Sequence, residues 1–156
     1  MSVLAGRLVA VSGPGEGATE AEVTLARELG AALARAGALV LTGGLAGVMA
    51  AAAEGVREAG GTSIGLLPGT DRAAGSPAHT VLLPTGLGEL RNGLLVRAAD
   101  AVVAIGGGWG TLSEVALAVR TGRPLVRLGG WELPEPAGID AIDDADALAA
   151  LEELLR

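Results

Sequence analysis

Residues 106–114 read Gly-Gly-Gly-Trp-Gly-Thr-Leu-Ser-Glu, between an apolar, β-branched run at 101–105 and an apolar helical pattern at 115–119. A strand, a glycine-rich turn and a helix start, in that order, form an anion-binding device. Glycine lets backbone approach a ligand closely, and the first turn of a helix offers unpaired N–H groups and partial positive charge. Gly107, Gly108, Trp109, Gly110 and Thr111 are therefore candidate phosphate ligands, and Glu114 sets a carboxylate beside them. This combination suggests chemistry on a phosphorylated small molecule. Two more glycine turns follow short apolar runs: Gly13-Pro14-Gly15-Glu16-Gly17, and Gly43-Gly44-Leu45-Ala46-Gly47 before Met49. Any one of them reads equally well as a tight strand-to-helix turn. Three at one sheet edge shift the balance toward phosphate binding.

Several residues have two readings. Thr111-x-x-Glu114 is also a capping box, in which the glutamate satisfies a backbone N–H. Arg91 opens the helix before the 101–105 strand and, from periodicity alone, reads as an exposed helix arginine. Trp109 could stack on a ligand ring or bury at a subunit interface; Trp131 reads as core or interface. Asp100, at the amino end of its strand, reads as a helix–strand junction residue, and His79, in Ser-Pro-Ala-His, as a solvated turn residue.

The elements that must position these groups alternate along the chain. Strands are expected at 8–12, 39–41, 62–67, 80–83, 101–105, 125–128 and, as a short edge, 139–142. Helices are expected from a Thr19-x-x-Glu22 capping box to about Ala36, then over 48–59, 89–99 and 111–121, and from an Asp143 or Asp144 cap to Leu155. Short apolar strands separated by helices imply an α/β fold: a three-layer α/β/α domain over 1–156 with a mostly parallel sheet of six or seven strands. Right-handed crossovers bring the loops after the first, second, third and fifth strands to the carboxyl edge, where open α/β sheets bind ligands. The turns do not match G-x-G-x-x-G, since Thr111 holds the third glycine's place and Leu41-Thr42 stand where an acid would end the second strand. A dinucleotide fingerprint is absent.

Composition narrows the chemistry. All eleven basic residues are arginines. Without lysine there is no Walker A loop and no Schiff-base catalysis, pyridoxal phosphate included. With no cysteine and one histidine, neither a disulfide nor a transition-metal site is expected, and no resident cofactor is implied. The net charge of −7 argues against non-specific nucleic-acid binding. No secretory signal is visible and no apolar run approaches the ~20 residues of a membrane span, so a cytoplasmic protein is expected. The high apolar fraction in so short a chain leads us to expect a homodimer or higher homo-oligomer paired through helices.

These motifs resemble the LOG-type phosphoribohydrolases, within a wider Rossmann-like superfamily. The family's P-G-G-x-G-T-x-x-E motif is matched by residues 106–114, and its glycine turn ending G-L-M by Gly43-Gly44-Leu45-Ala46-Gly47-Val48-Met49. Its catalytic arginine lies nine residues before an Ala-Asp-Ala aspartate, and here Arg91 stands nine before Asp100. The resemblance runs over about residues 8–128. It implies hydrolysis of the N-glycosidic bond of a nucleoside 5′-monophosphate to free base and ribose 5-phosphate, with Arg91 and Glu114 as the catalytic pair. The position of the three glycine turns at one sheet edge leads us to expect ligand contacts from Gly13, Gly15, Gly43, Gly44, Gly47, Met49 and the 107–111 loop. Three departures stand out. Gly106 replaces the family's proline, Asn92 its lysine, and Leu41-Thr42 its tyrosine-glycine. These changes are similar to a sister branch that includes the molybdenum cofactor carrier proteins, which implies the alternative of binding a phosphorylated pterin without turnover.

Overall fold

In the computed structural model, which describes residues 1–156, seven strands alternate with five helices. The strands are β1 (Leu8–Ser12), β2 (Leu39–Thr42), β3 (Ser63–Leu67), β4 (Val81–Pro84), β5 (Ala101–Ile105), β6 (Leu125–Leu128) and β7 (Ile139–Asp140). The helices are α1 (Glu20–Arg35), α2 (Val48–Glu58), α3 (Arg91–Ala98), α4 (Trp109–Thr121) and α5 (Asp144–Leu154). Every strand pairing is parallel, in the order β4-β3-β2-β1-β5-β6-β7. The order reverses beside β1: the chain builds β1 to β4 outward on one side, then returns to lay β5 on the other. The loops leaving β1 and β5 diverge at that point and open a crevice, the usual ligand position in such sheets.

Alternation along the central strands feeds two cores. Val9 and Val11 of β1 and Ala101, Val103 and Ile105 of β5 pack under α1, α2 and α5. Ala10, Val102 and Ala104 face α3 and α4. The sheet is thus covered on both faces, a Rossmann-like α/β/α arrangement. Small residues bring α1 and α2 unusually close: a Cβ on Gly55 would stand 2.8 Å from the Arg27 carbonyl carbon and 3.0 Å from the Ala31 amide nitrogen. No helix is long and apolar enough to cross a membrane.

Element ends differ from expectation where local hydrogen bonding decides. The Thr19–Glu22 capping box forms, and Asp143 caps α5 by accepting from the Asp146 N–H at 2.8 Å. β7 stops at Asp140 because the Ile142 N–H donates to the Asp146 carboxylate, drawing the chain out of the sheet. A 3-10 turn over Gly88–Leu90 precedes α3, so Arg91 is its first residue. The change that matters most for function is at α4. It starts at Trp109, two residues before Thr111, and its N-cap is the fully extended Gly108.

Candidate functional site

The early start of α4 overturns the capping reading of Glu114. Thr111 lies inside the first turn, no side chain caps the helix, and Glu114 is in the second turn. The amide N–H groups of Gly107, Gly108, Trp109, Gly110 and Thr111 all lack a hydrogen-bond partner; the first paired amide is Leu112, donating to the Gly108 carbonyl at 2.9 Å. Elsewhere the chain does cap its helices with side chains, at Thr19 and Asp143. α2 also begins with a glycine cap, Gly47, but its first amide, Val48, donates to the Pro14 carbonyl at 3.0 Å. The N-terminus of α4 is therefore the one left with a run of free donors, in the geometry that suits a phosphate.

The amides of Gly108 to Thr111 border a cleft of about 280 Å³ at the point where the strand order reverses. β1 and its loop supply Val11, Ser12, Gly13, Pro14, Gly15 and Glu16; the segment after β2 supplies Gly43 and Met49; α3 supplies Arg91 and Asn92; and Gly108, Trp109, Gly110, Thr111 and Glu114 complete it. Three of the expected ligand glycines lie outside the cleft. The Gly44 N–H donates to Thr42 Oγ1 at 2.9 Å and its carbonyl accepts from Ser76, so it braces the loop from behind. Gly47, at φ +63°, lets the second glycine turn pass against the first: a Cβ there would stand 2.5 Å from the Pro14 carbonyl oxygen. Gly107 packs beneath the Trp131 indole, 3.2 Å from where its Cβ would be.

Arg91 and Glu114 both face the cleft. The Arg91 guanidinium is held by the chain itself. Its Nε donates to the Leu66 carbonyl at 3.0 Å, one terminal nitrogen to the Gly43 carbonyl at 3.3 Å, and the other to Asn92 Oδ1. Asn92 is buried and donates to Ser113 Oγ at 3.0 Å, which in turn donates to the Gly110 carbonyl at 2.6 Å. This relay ties the start of α3 to the start of α4. Burial lowers the Arg91 pKa from its ordinary value, and Glu114 and Glu89 oppose that shift. Glu114 is only 6% exposed. Burial raises its pKa to about 7, against the pull of Arg91 and with no hydrogen bond to the carboxylate offsetting it. Near neutral pH it is poised between a neutral acid and a carboxylate.

Asp100 is the expected junction residue, accepting from the Leu8 N–H at 2.8 Å and pairing with Arg7 at 3.6 Å. His79 is not solvated. It is buried, with Nε2 2.5 Å from Thr42 Oγ1 and Nδ1 3.0 Å from the Ser76 carbonyl. A neutral ring satisfies both contacts by donating from Nδ1 and accepting at Nε2, and burial lowers its pKa accordingly. Ser12 went unnoticed in the sequence. Its hydroxyl is buried on the cleft wall without a partner, a polar group left for a ligand or water. Asn92 was visible only as a departure from lysine; its place in the relay depends on contacts between two helices. Trp131 is half-buried, not core. Its indole N–H donates to the Gly108 carbonyl at 3.1 Å, and its ring lies 4.9 Å from that of Trp109.

Fold and site define a Rossmann-like α/β protein with a run of unpartnered amides at the switch point of its sheet. The chain belongs to the SLOG cluster4 family, whose profile matches residues 6–151. It is similar over nearly its whole length to the molybdenum cofactor binding protein from Rippkaea orientalis, with 32% identity, a TM-score of 0.91 and coverage of 97% of this chain and 98% of that one. The molybdenum cofactor carrier protein from Chlamydomonas reinhardtii is also similar, at 38% identity and a TM-score of 0.88, covering 96% and 98%. A probable cytokinin riboside 5′-monophosphate phosphoribohydrolase from Oryza sativa subsp. japonica is 40% identical over 98 residues, 62% of this chain and 42% of that protein. The match thus spans about two fifths of the rice protein's length.

Proposed function

We propose that this protein binds a phosphorylated small molecule through the free amides of Gly108 to Thr111 and holds it intact, in the manner of a cofactor carrier. The four consecutive unpartnered amides that line the cleft at the uncapped start of α4 carry this reading. Fixed backbone donors bind a phosphate without lysine and without reorganising. The manner of use is argued from the pair beside them. Arg91 donates to two backbone carbonyls and an amide oxygen, so it helps build the site before any ligand arrives. Glu114, with its pKa raised to about 7, is about half protonated at pH 7, which reduces the charge it can set against developing positive charge. Whole-length likeness to molybdenum cofactor binding and carrier proteins supports the same choice, with a phosphorylated pterin as cargo.

Hydrolysis of a nucleoside 5′-monophosphate is the second reading. It is favoured by Arg91 and Glu114 facing the same cleft and by the likeness to the rice phosphoribohydrolase. In that chemistry the ionised Glu114 would stabilise the oxocarbenium-like charge at C1′ and orient water. Incubation with a panel of nucleoside monophosphates, with release of free base as the readout, separates the two. A carrier binds without releasing base. Release that Glu114→Gln reduces by about 10²-fold or more would establish the hydrolase instead.

A further inference from the structure

The chain contains two aromatic residues in 156, and the fold brings the two into contact. Neither belongs to the core. Trp109 is the first residue of α4, is 78% exposed and lines the cleft, its own amide being one of the free donors. Trp131 is not part of the cleft wall; it packs against the Trp109 ring at 4.9 Å and 42° and is fixed by its hydrogen bond to the Gly108 carbonyl. The rings are thus ordered outward from the cleft, Trp109 at its rim and Trp131 behind. A large apolar side chain held in water by a second, anchored one is an aromatic platform awaiting a flat partner. The cleft's 280 Å³ is at the low end of the ~300–1,000 Å³ usual for small-ligand sites. Because Trp109 both supplies one of the amides and lines the cleft, a ligand with its phosphate on the amides brings its remaining part within reach of the ring.

We infer that Trp109 is the specificity-determining residue of this cleft. It stacks on a planar heteroaromatic ring carried by the phosphorylated ligand, and Trp131 positions it. This rests on the phosphate reading above, and the experiment separates the two. Adenosine and guanosine 5′-monophosphates supply phosphate and ring, and ribose 5-phosphate supplies phosphate alone. Binding is measured calorimetrically and by intrinsic fluorescence, with Trp131→Phe leaving Trp109 as the sole indole. Stacking is sequence-tolerant and strong enough to give the monophosphates at least about tenfold tighter binding than ribose 5-phosphate. The monophosphates should quench Trp109 in the Trp131→Phe protein, and ribose 5-phosphate should not. Trp109→Ala should bring the monophosphates down to the affinity of ribose 5-phosphate while leaving the latter within about twofold. Equal affinity of all three compounds for the wild-type protein would overturn the stacking role but leave the phosphate cradle standing. So would Trp109→Ala producing monomers, by sedimentation, with the monophosphate preference intact. If no phosphate compound binds, cradle and platform fail together.

Discussion

Glu114→Gln is expected to stabilise this protein at alkaline pH and to do little in acid. Glutamine imitates the protonated acid, so the comparison isolates the cost of burying the charge. The folded-state pKa is about 7 against an ordinary value of 4.5, with burial as the main cause. Below pH 4.5 folded and unfolded chains both carry the proton, and Glu114 has no effect on the pH dependence. Between 4.5 and 7 the unfolded chain ionises while the folded one keeps its proton, so stability falls as pH rises. Above 7 the folded chain ionises too, and the loss levels off. The difference between the two pKa values corresponds to about 3 kcal/mol, of which Arg91 has already recovered its share. Urea denaturation followed by tryptophan emission, at pH 4.5 and pH 8.5, should show wild type and variant nearly equal at the lower pH. At the higher pH the variant should be more stable by about 3 kcal/mol, or roughly 6–12 °C in Tm for a chain of this size. A glutamate that only capped a helix would behave otherwise: the variant would lose about 1 kcal/mol or less at both values. A Glu114→Gln protein destabilised equally in acid and alkali would refute the buried-acid argument.

Four further outcomes follow from the same geometry. Trp109→Pro places proline at the first helical position after an extended Gly108, where it is tolerated; compared with Trp109→Ala it removes one cradle amide, and calorimetry should find inorganic phosphate bound about tenfold or more weakly. Binding of a phosphate ester near pH 7 should take up part of a proton as the new anion raises Glu114 further; titrations in buffers of different ionisation enthalpy should detect this in wild type and not in Glu114→Gln. His79, whose pKa is lowered by burial, should favour folding above its ordinary value of about 6.5 and lose that contribution as pH falls through its lowered folded value; in a Glu114→Gln background, His79→Gln should flatten the acid limb of the stability profile. The α4 face carries Val119, 51% exposed, beside an apolar groove lined by Leu112, Leu133 and Pro134; if helix pairing buries it, Val119→Asp should yield monomers in sedimentation equilibrium, whereas a wild-type monomer at micromolar concentration would dismiss the expectation.

The sheet was legible because its strands are short apolar runs cut by glycine turns, and no other packing covers both faces of such strands. The loops on which the cleft depends were legible for the same reason: Gly13, Gly43 and Gly106 follow β1, β2 and β5 directly. What sequence reasoning lost were choices between two satisfactory local patterns. Thr111-x-x-Glu114 fits a capping box, but three glycines allow the chain to enter the helix at Trp109 first, and the glutamate is left without a backbone donor. His79 sits in a proline turn that usually faces water; here the turn's own Ser76 carbonyl holds Nδ1, and Thr42 reaches Nε2 from the end of β2, a contact nothing local announces. Ser12 and Asn92 are ordinary polar residues by type. Their isolation or pairing depends on which helix ends meet above the sheet.

An acidic protein that captures an anion needs its positive potential to be local. This chain carries a net charge of −7, and its cleft holds one arginine against two carboxylates, Glu16 and Glu114. Side-chain charge therefore cannot supply the attraction. The donors that can are backbone amides, whose partial charges are fixed by the α4 fold and are independent of pH. Burial of Glu114 fits this economy of charge: by holding a proton near neutrality, it removes about half of one negative charge from beside the cradle. The same burial that disfavours the carboxylate thus favours a bound phosphate. A lysine in place of Asn92 would alter both terms, pulling the Glu114 pKa down and adding a cation to the cleft. Asparagine at that position instead joins the Ser113 relay, leaving burial as the main influence on Glu114 and the carboxyl about half protonated near pH 7.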